Sequence, residues 1–185
     1  DFGGTDVLKG SIVRSFTLKN FGKGKLNVEN VTISGENKDD FSVTAKPASV
    51  LSANGSTTFK INFVPKDGGT RKATVSIQNN DAQENPFNFD IQGEGYPAEI
   101  NLKGNGNNIV NEDDTPSMEN GTDLGPAAIN STGIVQTFKI QNVGTGKLFL
   151  TGSPLVSLTA DVDKSDFAVT VNPVTPISPD RKSVV

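Results

Sequence analysis

Along residues 12–19 the chain alternates, with Ile12, Phe16 and Leu18 on one parity and Val13, Ser15, Thr17 and Lys19 on the other. A period of two marks a strand with one buried face. The stretch Asn20-Phe21-Gly22-Lys23-Gly24 follows as a turn, its glycines free to take positive φ. Leu26 and Val28 resume the core parity, but Val31 and Ile33 fall on the other one. A β-bulge or a change of sheet near Glu29–Asn30 accounts for that switch. Phe41 and Val43 make a short strand ended by Pro47. Phe59, Ile61 and Phe63 give the clearest alternation, closed by Val64-Pro65 and the turn Asp67-Gly68-Gly69. Ala73, Val75 and Ile77 follow, then the polar loop from Asn79 to Pro86, then Phe87, Phe89 and Ile91. With a leading strand this makes about seven short strands, the number and spacing of a β-sandwich. No segment carries a helical period with caps.

The chain then matches itself. Asp1-Phe2-Gly3 returns as Asp123-Leu124-Gly125, the strand Phe16 to Asn20 as Phe138 to Asn142, and Gly22 to Leu26 as Gly144 to Leu148, all 122 positions on. Asp40-Phe41-Ser42-Val43 returns as Asp166-Phe167-Ala168-Val169, and Pro47 as Pro173, now 126 positions on. The second copy therefore carries four extra residues near Ser153–Leu158. It also repeats the first strand's parity as Ile134, Phe138 and Ile140. At the larger offset Leu51 to Phe59 correspond to Ile177 to Val185, whereas 97–122 has no counterpart before Asp1. Such self-similarity marks one folding unit used twice. The expectation is an all-β chain of tandem immunoglobulin-like β-sandwiches with about seven antiparallel strands each, the second truncated. Its boundaries are 1–95 for the first sandwich (its first strand missing), 96–122 for an acidic connector with the leading strand of the second, and 123–185 for the second, which lacks its C-terminal strands. The incomplete copy is expected to be completed by another chain or poorly ordered.

Composition narrows the chemistry. With no Cys and no His in 185 residues, there is no disulfide, no Cys/His zinc site, no thiol nucleophile and no His-based triad. Each sandwich must be held by its core alone, and the Phe count of 11 against no Trp makes that core Phe-filled. A net charge of −4 spread along the chain argues against nucleic acid, which needs clustered Lys and Arg. No run of about 18 apolar residues is present to span a bilayer.

Two acidic features remain. In the connector, Asn111, Glu112, Asp113, Asp114 and Asp123 bring hard oxygen ligands within reach of one another, as Ca²⁺ prefers. A calcium ion there would stiffen the junction between repeats. The spacing is not that of an EF-hand, and a solvated linker with Asp as turn former or cap is the plainer expectation. The adjacent pairs Asp39-Asp40 and Asp113-Asp114 invite comparison with a two-carboxylate hydrolase, but adjacent strand residues point to opposite faces. Gly22-Lys23-Gly24 and Gly104-Asn105-Gly106 precede strands rather than a helix, so they are turns and not phosphate loops.

Taken together, Asp-Phe-Gly, the Phe-Thr-Leu-x-Asn strand, Gly-x-Gly-x-Leu, Asp39-Asp40-Phe41-Ser42-Val43, Phe59-Lys60-Ile61-Asn62-Phe63-Val64-Pro65, Asn85-Pro86-Phe87 and Gly93-Glu94-Gly95 resemble the choice-of-anchor D repeat. That repeat is related to the ASPM/SPD-2/Hydin (ASH) immunoglobulin-like domains. Leu124 stands where the repeat usually has Phe. The resemblance implies a sandwich in large exported bacterial proteins, secreted or at the cell surface, with no catalytic residues to carry over. The functional expectation is a non-catalytic stalk or adhesive module. Its partners would be other repeats of the same protein, or another protein, met through edge strands. An intracellular scaffolding module of the ASH kind, and an accessory domain of a secreted hydrolase, are the alternatives.

Overall fold

A computed structural model describes residues 1–129, 132–159 and 164–185. Among them the chain is β-structure and loops, with two single 3-10 turns at Lys38–Asp40 and Lys164–Asp166 and no longer helix. The chain divides into two compact units, Asp1–Pro97 and Ala98–Val185.

The first unit holds β1 (Gly4–Asp6), β2 (Ile12–Lys19), β3 (Leu26–Ser34), β4 (Phe41–Ala45), β5 (Val50–Leu51), β6 (Ser56–Phe63), β7 (Gly69–Asn79) and β8 (Phe87–Tyr96). They form a sheet in the order β1-β8-β7-β3-β5 and a second in the order β2-β6-β4. Every pairing is antiparallel except β1 on β8. Period-two burial is the cause of the layering. Phe59, Ile61 and Phe63 from one sheet and Ala73, Val75, Ile77 and Ile91 from the other are all buried in a single apolar cluster. Rings stack within it, Phe16 on Phe59 at 5.2 Å between centroids and Phe41 on Phe63 at 4.8 Å. The core is the interleaved inner faces of two sheets, an immunoglobulin-like sandwich.

Three local features bear on the sequence reading. The parity switch in β3 is a bulge, since Val28 pairs with Asn79 but Val31 with Ile77, one residue more on β3 than on β7. Phe2, marked in the sequence only as part of a repeat, is 1% exposed and packs against Phe16, Phe41 and Phe63. Gly93 and Gly95 are required by close approach. A Cβ on Gly93 would collide with the Phe63 ring, and one on Gly95 with the carbonyl oxygen of Asp67.

The second unit forms β9 (Ile100–Gly104), β10 (Asn107–Ile109), β11 (Phe138–Asn142) and β12 (Lys182–Val184), in one sheet of order β10-β9-β11-β12. An isolated bridge joins Leu148 and Ile177. Two expectations fail here. Ile134 does not repeat the core parity of Ile12: it lies outside any strand and is 46% exposed. Its would-be neighbour β9 turns away at Asn105 and Gly106, both at positive φ, so the ladder stops at the pair Phe138–Gly104. The copy of β4 at Asp166–Val169 is likewise not a strand, and Phe167 is half exposed. In the first unit Phe41 and Val43 are held by Phe63 and Ile61 of β6, whereas among the described residues β12 pairs with β11 alone.

Candidate functional site

The buried polar groups come first, because burial without a partner is costly. Asn20 directly follows β2, and its amide nitrogen donates to the carbonyls of Gly24 (2.7 Å), Ser52 (3.1 Å) and Leu51 (3.3 Å), while its oxygen accepts from the Gly22 amide. Asn142 repeats this knot. Its amide donates to Gly146 (2.7 Å) and Ile177 (2.9 Å), and its oxygen accepts from Gly144. Asn142, Gly144 and Gly146 stand at the 122 offset and Ile177 at the 126 offset, so one side chain joins both alignments. The Gly-x-Gly loops are thus turns tied back to a neighbouring strand by an Asn.

The two Asp-x-Gly motifs behave alike. Asp1 Oδ1 accepts from the Gly3 amide and Asp123 Oδ1 from the Gly125 amide, each at 2.8 Å, with both glycines at positive φ. Asp123 is therefore occupied as a turn former. The remaining connector residues are similarly engaged. Asp113 accepts from the Thr115 amide (3.1 Å) and from the Asn120 side chain (3.3 Å), and Asp114 shares a hydrogen bond with the Thr115 hydroxyl (3.1 Å). Glu112 takes a positive φ, and Asn111 lies beside it in an exposed turn. The connector is also laced to the β9–β10 turn, with Asn105 donating to the Met118 carbonyl and Asn107 to that of Glu119. Among the described residues no three His, Cys, Asp or Glu side chains gather as a cation would require. Asn111, Glu112, Asp113, Asp114 and Asp123 thus share a loop without converging on a point.

The other carboxylate pair separates as a turn should separate it. Asp39 is exposed beside Lys38 (2.9 Å), whose hydrogen bond and then charge hold its carboxyl below the ordinary range. Asp40 is buried, and Arg71 Nε reaches its Oδ2 at 2.6 Å. The two carboxylates serve different partners and form no acid–base couple.

What is left open is backbone. The borders of the first unit's sheets are β1 and β5 in one, β2 and β4 in the other. Of these β2 is the longest, at eight residues, and an unpaired edge of that length is a template for another strand. Side-chain patterns in a sequence carry no mark of edge position, which is why the border went unnoticed there.

Among the described residues no helix is long and apolar enough to cross a membrane. Residues 1–94 match the profile of the HYDIN/CFA65/VesB-like Ig-like domain. No curated protein matches the chain. Among solved structures, the secreted serine protease VesC of Vibrio cholerae is 15% identical with a TM-score of 0.41, over 52% of this chain and 22% of that one. A Porphyromonas gingivalis protein of unknown function is 20% identical with a TM-score of 0.43, over 50% and 41%. The ASH/PapD-like domain of human CEP192 is 15% identical with a TM-score of 0.38, over 54% and 84%. The match thus spans about a fifth of VesC and two fifths of the Porphyromonas protein.

Proposed function

This chain belongs to the family of HYDIN/CFA65/VesB-like Ig-like domains, and from that membership we propose that it is a non-catalytic spacer and protein-interaction module of a large secreted or cell-surface bacterial protein. Its work is to hold sandwiches in series and to make contact through sheet edges, with other repeats of the same protein or with another protein. The observation that carries this reading is the border of β2, which no strand pairs among the described residues, on a sandwich whose buried Asn20 bonds three carbonyls and whose buried Asp40 holds Arg71. A sandwich with open backbone edges is suited to strand addition.

Two measurements test it. Antibody raised against the chain, applied to fractions of the producing cell, is expected to find it in the medium or on the surface; a purely cytosolic signal would contradict the reading and favour intracellular scaffolding of the ASH kind. The purified chain is expected to show no turnover on peptide, ester and glycoside substrates, and sustained turnover lost on Asp40→Asn would make it an enzyme.

A further inference from the structure

In β2 the backbone alternates its bonding direction, as any antiparallel ladder must. The Asn20 amide donates to the Gly55 carbonyl at 2.9 Å, so the amides of Leu18 and Phe16, two and four residues earlier, also face β6. Ser15, Thr17, Lys19 and Phe21 then aim their amides outward, where among the described residues no strand lies. Beside this border opens a groove of about 540 Å³, lined by Phe16, Leu18, Phe59, Phe87 and Phe89 among others. Its walls are incompletely covered: Phe16, Leu18 and Phe89 are half-buried and Phe87 is 43% exposed.

The second unit shows the same border in use. β11 and β12 reproduce the register of β2 and β6, with Ile140 opposite Ser183 as Leu18 is opposite Thr57, and the Asn142 amide donating to Arg181 as that of Asn20 does to Gly55. On the other side of β11 lies β9, antiparallel, with Gly104 opposite Phe138, Leu102 opposite Ile140 and Ile100 opposite Asn142. The Val143 amide, counterpart of Phe21, donates to the Glu99 carbonyl at 2.8 Å. Covered in this way Ile140 is buried to 6% exposure, where Leu18 stays half open. Gly104 leaves room on both sides: a Cβ there would collide with the Asn120 carbonyl oxygen and press on the Phe138 ring at 3.0 Å.

We propose that the outer border of β2, with its groove, is an acceptor site for an extended strand of the Ile100–Gly104 kind. The strand runs antiparallel, with an aliphatic residue opposite Leu18, a glycine opposite Phe16 and a second aliphatic residue opposite Asn20. It closes the groove over Phe16 and Leu18 and satisfies the amides of Ser15, Thr17, Lys19 and Phe21. This rests on the reading of the chain as an edge-contact module and names the edge, the direction and the residue pattern of the partner.

The test is to prefix the full chain with a second copy of residues 98–122, which sets a donor strand at the same spacing from Asp1 as β9 has from Asp123. Such a tether places it at roughly millimolar effective concentration. Hydrogen exchange read residue by residue should slow by about tenfold or more at Ser15, Thr17, Lys19 and Phe21, since protection grows as one plus concentration over Kd. The same prefix carrying Leu102→Asp in the added copy should leave them as fast as in the parent. Unchanged exchange at Phe16 and Leu18 certifies that the sandwich is folded in both. New protection at β4 or β5 alone would overturn this site while leaving the edge-contact reading in place. No new protection at any border would overturn both.

Discussion

Asn20 and Asn142 show how much one side chain decides. Each closes a Gly-x-Gly turn and satisfies buried carbonyls, that of Leu51 for Asn20 and those of Gly146 and Ile177 for Asn142. Substitution by Ala removes the donors and leaves those carbonyls orphaned, at a cost of about 1–3 kcal/mol. Asn20→Ala is expected to lower the melting midpoint of the first unit and Asn142→Ala that of the second, each leaving the other transition in place. A variant with neither transition moved would show the knots to be ornamental. The glycines of Gly93-Glu94-Gly95 act oppositely, by leaving room. Gly93→Ala is expected to cost about 1–3 kcal/mol by overpacking against Phe63, read as a lower denaturant midpoint with an unchanged slope. In the sequence Asn20 and Asn142 stood out as repeated letters, and Gly93-Glu94-Gly95 as one motif of the family resemblance. Their reasons, a carbonyl four residues on or a ring across the sandwich, exist only in three dimensions.

Strands were the most legible level. The alternations at Phe59 to Phe63 and Ala73 to Ile77 became buried inner faces, and the broken parity after Val28 became a bulge. Parity suffices where a strand has partners on the positions that matter. It misled at Ile134 and at Phe167, because a pattern of apolar residues makes a strand only if another backbone accepts its hydrogen bonds. The acidic connector is a different case. Its carboxylates were visible as calcium ligands by type, but Asp113, Asp114 and Asp123 spend oxygens on Thr115, Asn120 and Gly125. Melting in calcium and in chelator is accordingly expected to give one midpoint. A rise with calcium, by the linkage of a ligand that binds only the folded state, would restore Asn111, Glu112, Asp113, Asp114 and Asp123 as a metal site.

At the scale of the molecule, the two offsets of the repeat meet in the same hydrogen bonds and the same strand register, so the units share one local design. On the matching border, β9 covers β11, whereas among the described residues no strand covers β2. That difference is the account's central claim, since it makes the first unit an acceptor. Hydrogen exchange of the unmodified chain, resolved by residue, tests it most directly. Phe16 and Leu18 should exchange slowly and Ser15, Thr17 and Lys19 fast, whereas Lys139, Gln141 and Val143 should be as slow as Ile140 and Asn142. Equal protection on alternate residues of β2 would contradict the account.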